Sequence, residues 1–323
     1  MKALIPLSND NNFEVYNDVK DESFYFGTLL KEIFGNKINN LSNRLFNRRN
    51  NEICYFSNLK KLKQVIEKLK SNGNEIKYAV NHSFPDRYKE LIKKETEKVI
   101  EEINPDYLII EDLDLIDIAE KYNKKVFIST RLAVLNKEEA KFFYKLIGKN
   151  LAGFVLPRQI SVKEINEINK FVLSKNLKLE VFFELGGCLN EERFCFFHEI
   201  LDYQRNLYNK NVKLPICINI FLNSKSIAKE LTLGYPMKDF FNCRSCLFAF
   251  IENTNNIYAK IVGRCFNNAR NRKIYEYFKQ VMNNLLIKDK ERIITRNRMA
   301  LMRVFGKICN KDNCPTFNLI DKY

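Results

Sequence analysis

Two kinds of stretch alternate along the chain. Short, continuous apolar runs read as strands: Ala3-Leu4-Ile5, Phe24-Tyr25-Phe26, Lys77 to His82, Tyr107 to Ile110, Lys125 to Thr130, Gly153 to Pro157 and Leu177 to Phe183. Between them lie longer stretches, 58–70, 86–103, 136–148 and 162–174, in which apolar residues recur every three or four positions among charged ones. That spacing predicts helices that bury one face. Ser57 and Ser161 stand at the expected N-caps of two of these helices, and Asn72-Gly73 closes one.

Strands that are apolar on both faces must be covered on both sides, so the alternation predicts a parallel sheet flanked by helices. After residue 76 the strands recur roughly every 25 residues, the length of one βα unit. Six or more such units in series favour a TIM-barrel-like (β/α) barrel over an open sheet, although closure is not readable from the pattern. In either arrangement function gathers at the carboxyl ends of the strands. One rim would then carry Asn81, His82, Glu111, Asp112, Ser129, Thr130, Arg131, Pro157, Arg158, Glu184 and the turn Gly186-Gly187-Cys188.

The alternation weakens after Cys188. Residues 188–256 are irregular and bear cysteines; a further strand, Ile257 to Val262, leads through Gly263-Arg264 to a helix near 269–286. The expected organisation is a barrel domain over 1–286, which includes a Cys-rich region at 184–265. A basic tail, 287–323, follows with Arg292, Arg296, Arg298, Arg303 and the spacing Cys309-x4-Cys314.

Composition narrows the setting. No apolar run approaches the roughly 20 residues of a membrane helix. The N-terminal stretch MKALIPLSNDNNFE breaks at Pro6 and lacks the apolar core of a secretory leader, so a cytoplasmic protein is expected. The net charge of +15 favours polyanions such as RNA, although a genome biased toward Lys, Asn and Ile would also produce it. Of nine cysteines, all but Cys54 lie beyond residue 187. An odd count without a leader argues against a disulfide framework and for metal or redox chemistry. With only His82 and His198 available, a metal site would be mostly thiolate, and zinc and iron–sulfur fit the spacing equally.

Three stretches resemble the U32 family, long called collagenase-like peptidases. The first is Ile128-Ser-Thr-Arg-Leu-Ala-Val-Leu-Asn136, followed by a helix and Gly153-Phe-Val-Leu-Pro-Arg-Gln-Ile-Ser-Val-Lys-Glu-Ile165. The second is Glu180-Val-Phe-Phe-Glu-Leu-Gly-Gly-Cys188 with Cys195 six residues further on. The third is Cys243-x-x-Cys246 ahead of Lys260-Ile-Val-Gly-Arg264. Together they span roughly residues 77–285. The resemblance implies a barrel-like fold. It also implies a [4Fe-4S] cluster on four cysteines and oxygen-independent hydroxylation of ribosomal RNA, tRNA or small aromatic precursors. The partners it implies are RNA, a prephenate-like acidic oxygen donor and a second protein of the family. Two features depart from the family. Its His-Gly ahead of the first cysteine is Glu184-Leu-Gly-Gly187 here, and its Gly/Ser-rich spacer is the charged Leu189 to Phe194.

On that resemblance the expected cluster ligands are Cys188, Cys195, Cys217 and Cys243, with Cys246 in reserve and zinc as the alternative. Candidate catalytic residues at the rim are His82, Arg131, Arg158 and Glu184. His82 could donate or shuttle a proton, or be a plain structural histidine. Arg131 and Arg158 could grip a carboxylate or phosphate, or pair with Glu111, Asp112 or Glu184. Neither H-E-x-x-H nor G-x-S-x-G occurs, so the residues give a peptidase little support. A zinc-stabilised, non-catalytic RNA binder is the remaining alternative.

Overall fold

The computed structural model describes residues 1–35, 55–80, 88–158, 160–183, 245–262 and 267–305. Eight parallel strands close into a barrel in sequence order. They are β1 Lys2–Pro6, β2 Ser23–Phe26, β3 Glu75–Val80, β4 Tyr107–Ile110, β5 Lys125–Ile128, β6 Leu151–Val155, β7 Lys178–Phe183 and β8 Ile257–Ile261. Closure comes from the pairing of β8 with β1, which sets Lys2 opposite Tyr258 and Leu4 opposite Lys260. Every strand expected from the apolar runs is present, and the fold is the TIM-like α/β barrel.

The described helices are α1 Lys31–Phe34, α2 Leu59–Ser71, α3 Lys89–Ile103, α4 Ile116–Lys121, α5 Lys137–Ile147, α6 Val162–Ser174, α7 Asn268–Asn284 and α8 Lys290–Phe305. Ser161 caps α6 as expected, in a reciprocal capping box with Glu164. Ser57 does not cap α2; Asn58 does, accepting from the Lys60 amide at 2.8 Å. An Asn side chain reaches that second amide as well as a hydroxyl does, so the start moves by one residue.

The core has two compartments. The larger lies between sheet and helices. Leu62, Ile66, Val99, Ile100, Ile165, Ile168, Ile274 and Phe278 meet the outward strand residues Ile5, Phe24, Ile76, Leu108, Val126 and Val181 there, all of them buried. Each large aliphatic side chain so buried contributes about 1.5–3 kcal/mol. The smaller compartment fills the barrel with Leu4, Tyr25, Ala79, Ile109, Phe127, Val155, Phe182 and Tyr258.

Gly153 on β6 marks the tightest backbone contact. A Cβ there would lie 2.0 Å from the Lys178 carbonyl oxygen and 2.8 Å from the Phe127 ring. Only a residue without a side chain lets β6 sit this close to β7.

The segment expected as a basic tail contains α8, which packs on α7 and on the short 3-10 segment Ser245–Phe250. Ile293, Ile294, Ala300 and Leu301 form its buried face. No described helix is long and apolar enough to cross a membrane.

Candidate functional site

Two-residue alternation decides which strand residues enter the barrel. On β3 it sends Glu75, Lys77 and Ala79 inward; on β7, Lys178, Glu180 and Phe182; on β8, Tyr258 and Lys260. Three of these form a buried charged triad. Lys77 Nζ lies 3.0 Å from Glu180 Oε1, and Lys260 Nζ lies 2.5 Å from Glu180 Oε2. Both Lys77 and Glu180 are fully buried. The Lys77 ammonium also sits among ring faces, 3.6 Å from the Tyr258 centroid, 3.7 Å from Phe127 and 5.2 Å from Tyr107. Burial pulls Lys77 down to about 8 against the attraction of Glu180. Burial alone would raise the Glu180 carboxyl, but Lys260 and Lys77 outweigh it and hold it below the usual carboxylate range.

A second polar layer lies toward the amino ends of the strands. Glu75 accepts from Tyr258 Oη at 2.6 Å, and Lys178 Nζ reaches the same hydroxyl at 2.7 Å. This end of a barrel usually serves stability.

At the opposite end, the mouth, the described residues after β4, β5 and β6 meet the end of β7. Glu111 follows β4 in the inward phase, and its nearly buried carboxylate meets Arg131 Nε at 3.1 Å. Arg131 follows β5 in a short turn capped by the Ser129 hydroxyl. Ala133 leaves that turn at φ +45, a conformation that non-glycine residues seldom adopt. Arg158 follows β6, and its guanidinium lies 4.5 Å over the ring of Phe182 on β7. Phe182 belongs to the barrel interior, so the guanidinium stacked on it sits at the mouth. Among the described residues that face the barrel, two arginines and one carboxylate stand at the rim, above a triad with two lysines and one carboxylate. Such a surplus of cations at a concave mouth suits an anionic ligand.

One common anion position in barrels is closed here. The amino end of the helix after β8 often receives a phosphate. In this chain the carboxylate of Asp10 takes that place, accepting from the Asn268 amide at 2.6 Å and from the Asn268 side chain. The Asn268 side chain is tied to Ser8 as well, through the Ser8 amide at 3.1 Å and the Ser8 carbonyl at 3.0 Å. This lashes the start of α7 to the loop after β1.

Of the expected site residues, Arg131 and Arg158 are brought to the same mouth. Arg131 takes Glu111 among the ion-pair partners considered for it. His82, Glu184, Cys188, Cys195, Cys217 and Cys243 lie outside the described residues. Cys246 is buried in the 3-10 segment, with Asn297 Nδ2 3.9 Å from its sulfur. Among the described residues no group of three or more His, Cys, Asp or Glu is arranged to hold a metal. Sequence reasoning missed the Lys77–Glu180–Lys260 triad. Its signal was visible as charged residues standing inside otherwise apolar strands.

The family model for peptidase family U32 matches residues 40–317. The chain belongs to peptidase family U32. Among solved structures this U32 protein is similar to the U32 peptidase Mk0906, at 13% identity and a TM-score of 0.45, with 81% of this chain and 93% of that one covered. It is also similar to a glycerol uptake operon antiterminator regulatory protein from Listeria monocytogenes, at 11% identity and a TM-score of 0.31, covering 62% and 87% of the two chains. No curated protein matches it.

Proposed function

We propose that this U32 protein is an iron–sulfur enzyme that hydroxylates, without O2, an RNA base or another aromatic substrate at the mouth of its barrel. The observation that carries the reading is the placement of cysteine. Five of the nine, Cys188, Cys195, Cys217, Cys243 and Cys246, fall in the single connection between β7 and β8. The strand that leads into it, β7, carries Phe182, whose ring lies under the Arg158 guanidinium. The connection rejoins the described shell at Ser245, whose hydroxyl is 2.8 Å from Tyr277 Oη. A thiolate-only donor set fits a [4Fe-4S] cluster, with Cys188, Cys195, Cys217 and Cys243 as its ligands and Cys246 in reserve. When bound, the cluster supplies electron transfer. Arg158 and Arg131 bind the carboxylates of an acidic, prephenate-like oxygen donor, or a substrate phosphate. The triad beneath them keeps the mouth electropositive.

The test is elemental and optical. Protein purified without oxygen should contain iron and acid-labile sulfide and absorb broadly in the visible, and Cys188→Ala should bleach it. Stoichiometric zinc with no iron would replace the reading with a zinc-stabilised RNA binder. The peptidase reading has the family name in its favour. Hydrolysis of peptides by metal-free protein would establish it.

A further inference from the structure

The outer face of α8 is basic. Arg292, Arg296, Met299 and Arg303 recur at i, i+4, i+7 and i+11, which places them on one stripe of the helix. All four are exposed, Met299 at 57%, and Met302 beside them is exposed at 60%. The opposite face, Ile293, Ile294, Asn297, Ala300 and Leu301, is buried against α7 and the 245–250 segment. The stripe is therefore turned outward. Residues 288–303 hold six basic residues and two acidic ones, a far denser positive charge than the chain average.

The guanidinium groups of Arg292, Arg296 and Arg303 make no ion pair among the described residues. Cations on other helices do pair: Lys98 with Glu32, Lys121 with Glu97, Arg272 with Asp18. Three arginines on one helix face, without an acidic partner among the described residues, present a positive electrostatic surface.

We propose that this stripe binds the phosphate backbone of single-stranded RNA, with Met299 and Met302 against the faces of unpaired bases. The proposal rests on the RNA branch of the function proposed above. At about 1.5 Å rise per residue, Arg292 and Arg296 stand about 6 Å apart and Arg296 and Arg303 about 10.5 Å apart along the axis. The shorter spacing suits neighbouring phosphates of one strand and the longer suits phosphates two nucleotides apart. Arginine forks match phosphate oxygens. Unpaired RNA offers base faces to apolar side chains, which a duplex keeps stacked inside. An anionic membrane is the weaker partner. A helix that lies in a membrane sinks an apolar face into it, and the apolar face of α8 is already packed against the barrel.

The test is fluorescence anisotropy of the full chain with a short, labelled, mixed-sequence single-stranded RNA across a salt series. The variant R292Q/R296Q/R303Q should bind at least about tenfold more weakly, and its log–log salt slope should be shallower by about 2. The variant K60Q/K63Q/K163Q removes the same charge from exposed positions on α2 and α6, and should bind nearly as the parent does. Equal losses in both variants would reduce the effect to net charge and overturn the proposal. So would an unchanged salt slope in the arginine variant, absence of RNA binding by the parent, or arginine-dependent binding to phosphatidylserine vesicles with RNA binding unaffected. Iron content of the same preparations reports on the cluster separately, so a failed stripe and a failed cluster are distinguishable.

Discussion

Both compartments of the core are largely apolar, but only the inner one holds a cluster of paired charges at its centre. Between sheet and helices the contacts are aliphatic and aromatic, and Ile165, Ile168 and Leu108 are fully buried there. Inside the barrel, at the same depth, Lys77, Glu180 and Lys260 share one cluster of charge–charge contacts. Burial in the outer compartment stabilises in proportion to area and tolerates repacking. Burial in the inner one is favourable only while every charge keeps its partner. The outer layer thus holds the barrel together, whereas the inner triad depends on the alignment of β3, β7 and β8.

Breaking the triad should have the largest effect. Glu180→Ala strands two lysines in the barrel and should cost about 3–5 kcal/mol. In the outer layer Ile165→Ala should cost about 2–5 kcal/mol through a cavity alone. Urea unfolding measures both. If Glu180→Ala proves milder than Ile165→Ala, the triad is not the dry, paired cluster described here. Gly153→Ala comes next. Its Cβ would press on the Lys178 carbonyl, so β6 and β7 must separate, at about 1–3 kcal/mol.

The smallest effects are pH slopes, and they run in opposite directions. Lys77 titrates near 8 in the folded chain, below its ordinary value of 10.5. Between those values the unfolded chain binds more protons, so stability should rise with pH across that window. The raised tyrosines Tyr16, Tyr258 and Tyr275 act the other way near their ordinary range, so the measured quantity is the difference between the parent and Lys77→Met. Glu95 on α3 is fully buried and receives the Leu30 amide at 2.6 Å. Burial raises it to about 7 from 4.5. Its stabilising contribution is complete below 4.5 and lost as pH rises through about 7, and Glu95→Gln should flatten that decline.

Much of this architecture is legible in the residue pattern because local rules act alone there. Apolar runs of strand length, helices with a three-to-four period and the Ser161–Glu164 capping box need no distant partner to be recognised. The triad was harder. Lys77, Glu180 and Lys260 each look like a lone charge in an apolar strand, and only the fold brings positions 103 and 80 residues apart into contact. Residues 287–305 read as a charged tail because the arginines mask a buried face at Ile293, Ile294, Ala300 and Leu301. Arg131 and Arg158 were visible as strand-end cations, but their partners, Glu111 and the Phe182 ring, were not separable from other nearby choices.

The amino-acid order by itself determined the strands, the helices, the family and the crowding of cysteine beyond residue 187, since these are written in spacing and residue type. Tertiary structure alone decided that eight strands close, that Asp10 fills the amino end of α7, and that one glutamate is shared between two lysines at the barrel centre. Those outcomes depend on side chains meeting across long separations in sequence, where closure and twist of the sheet set which groups come within bonding distance.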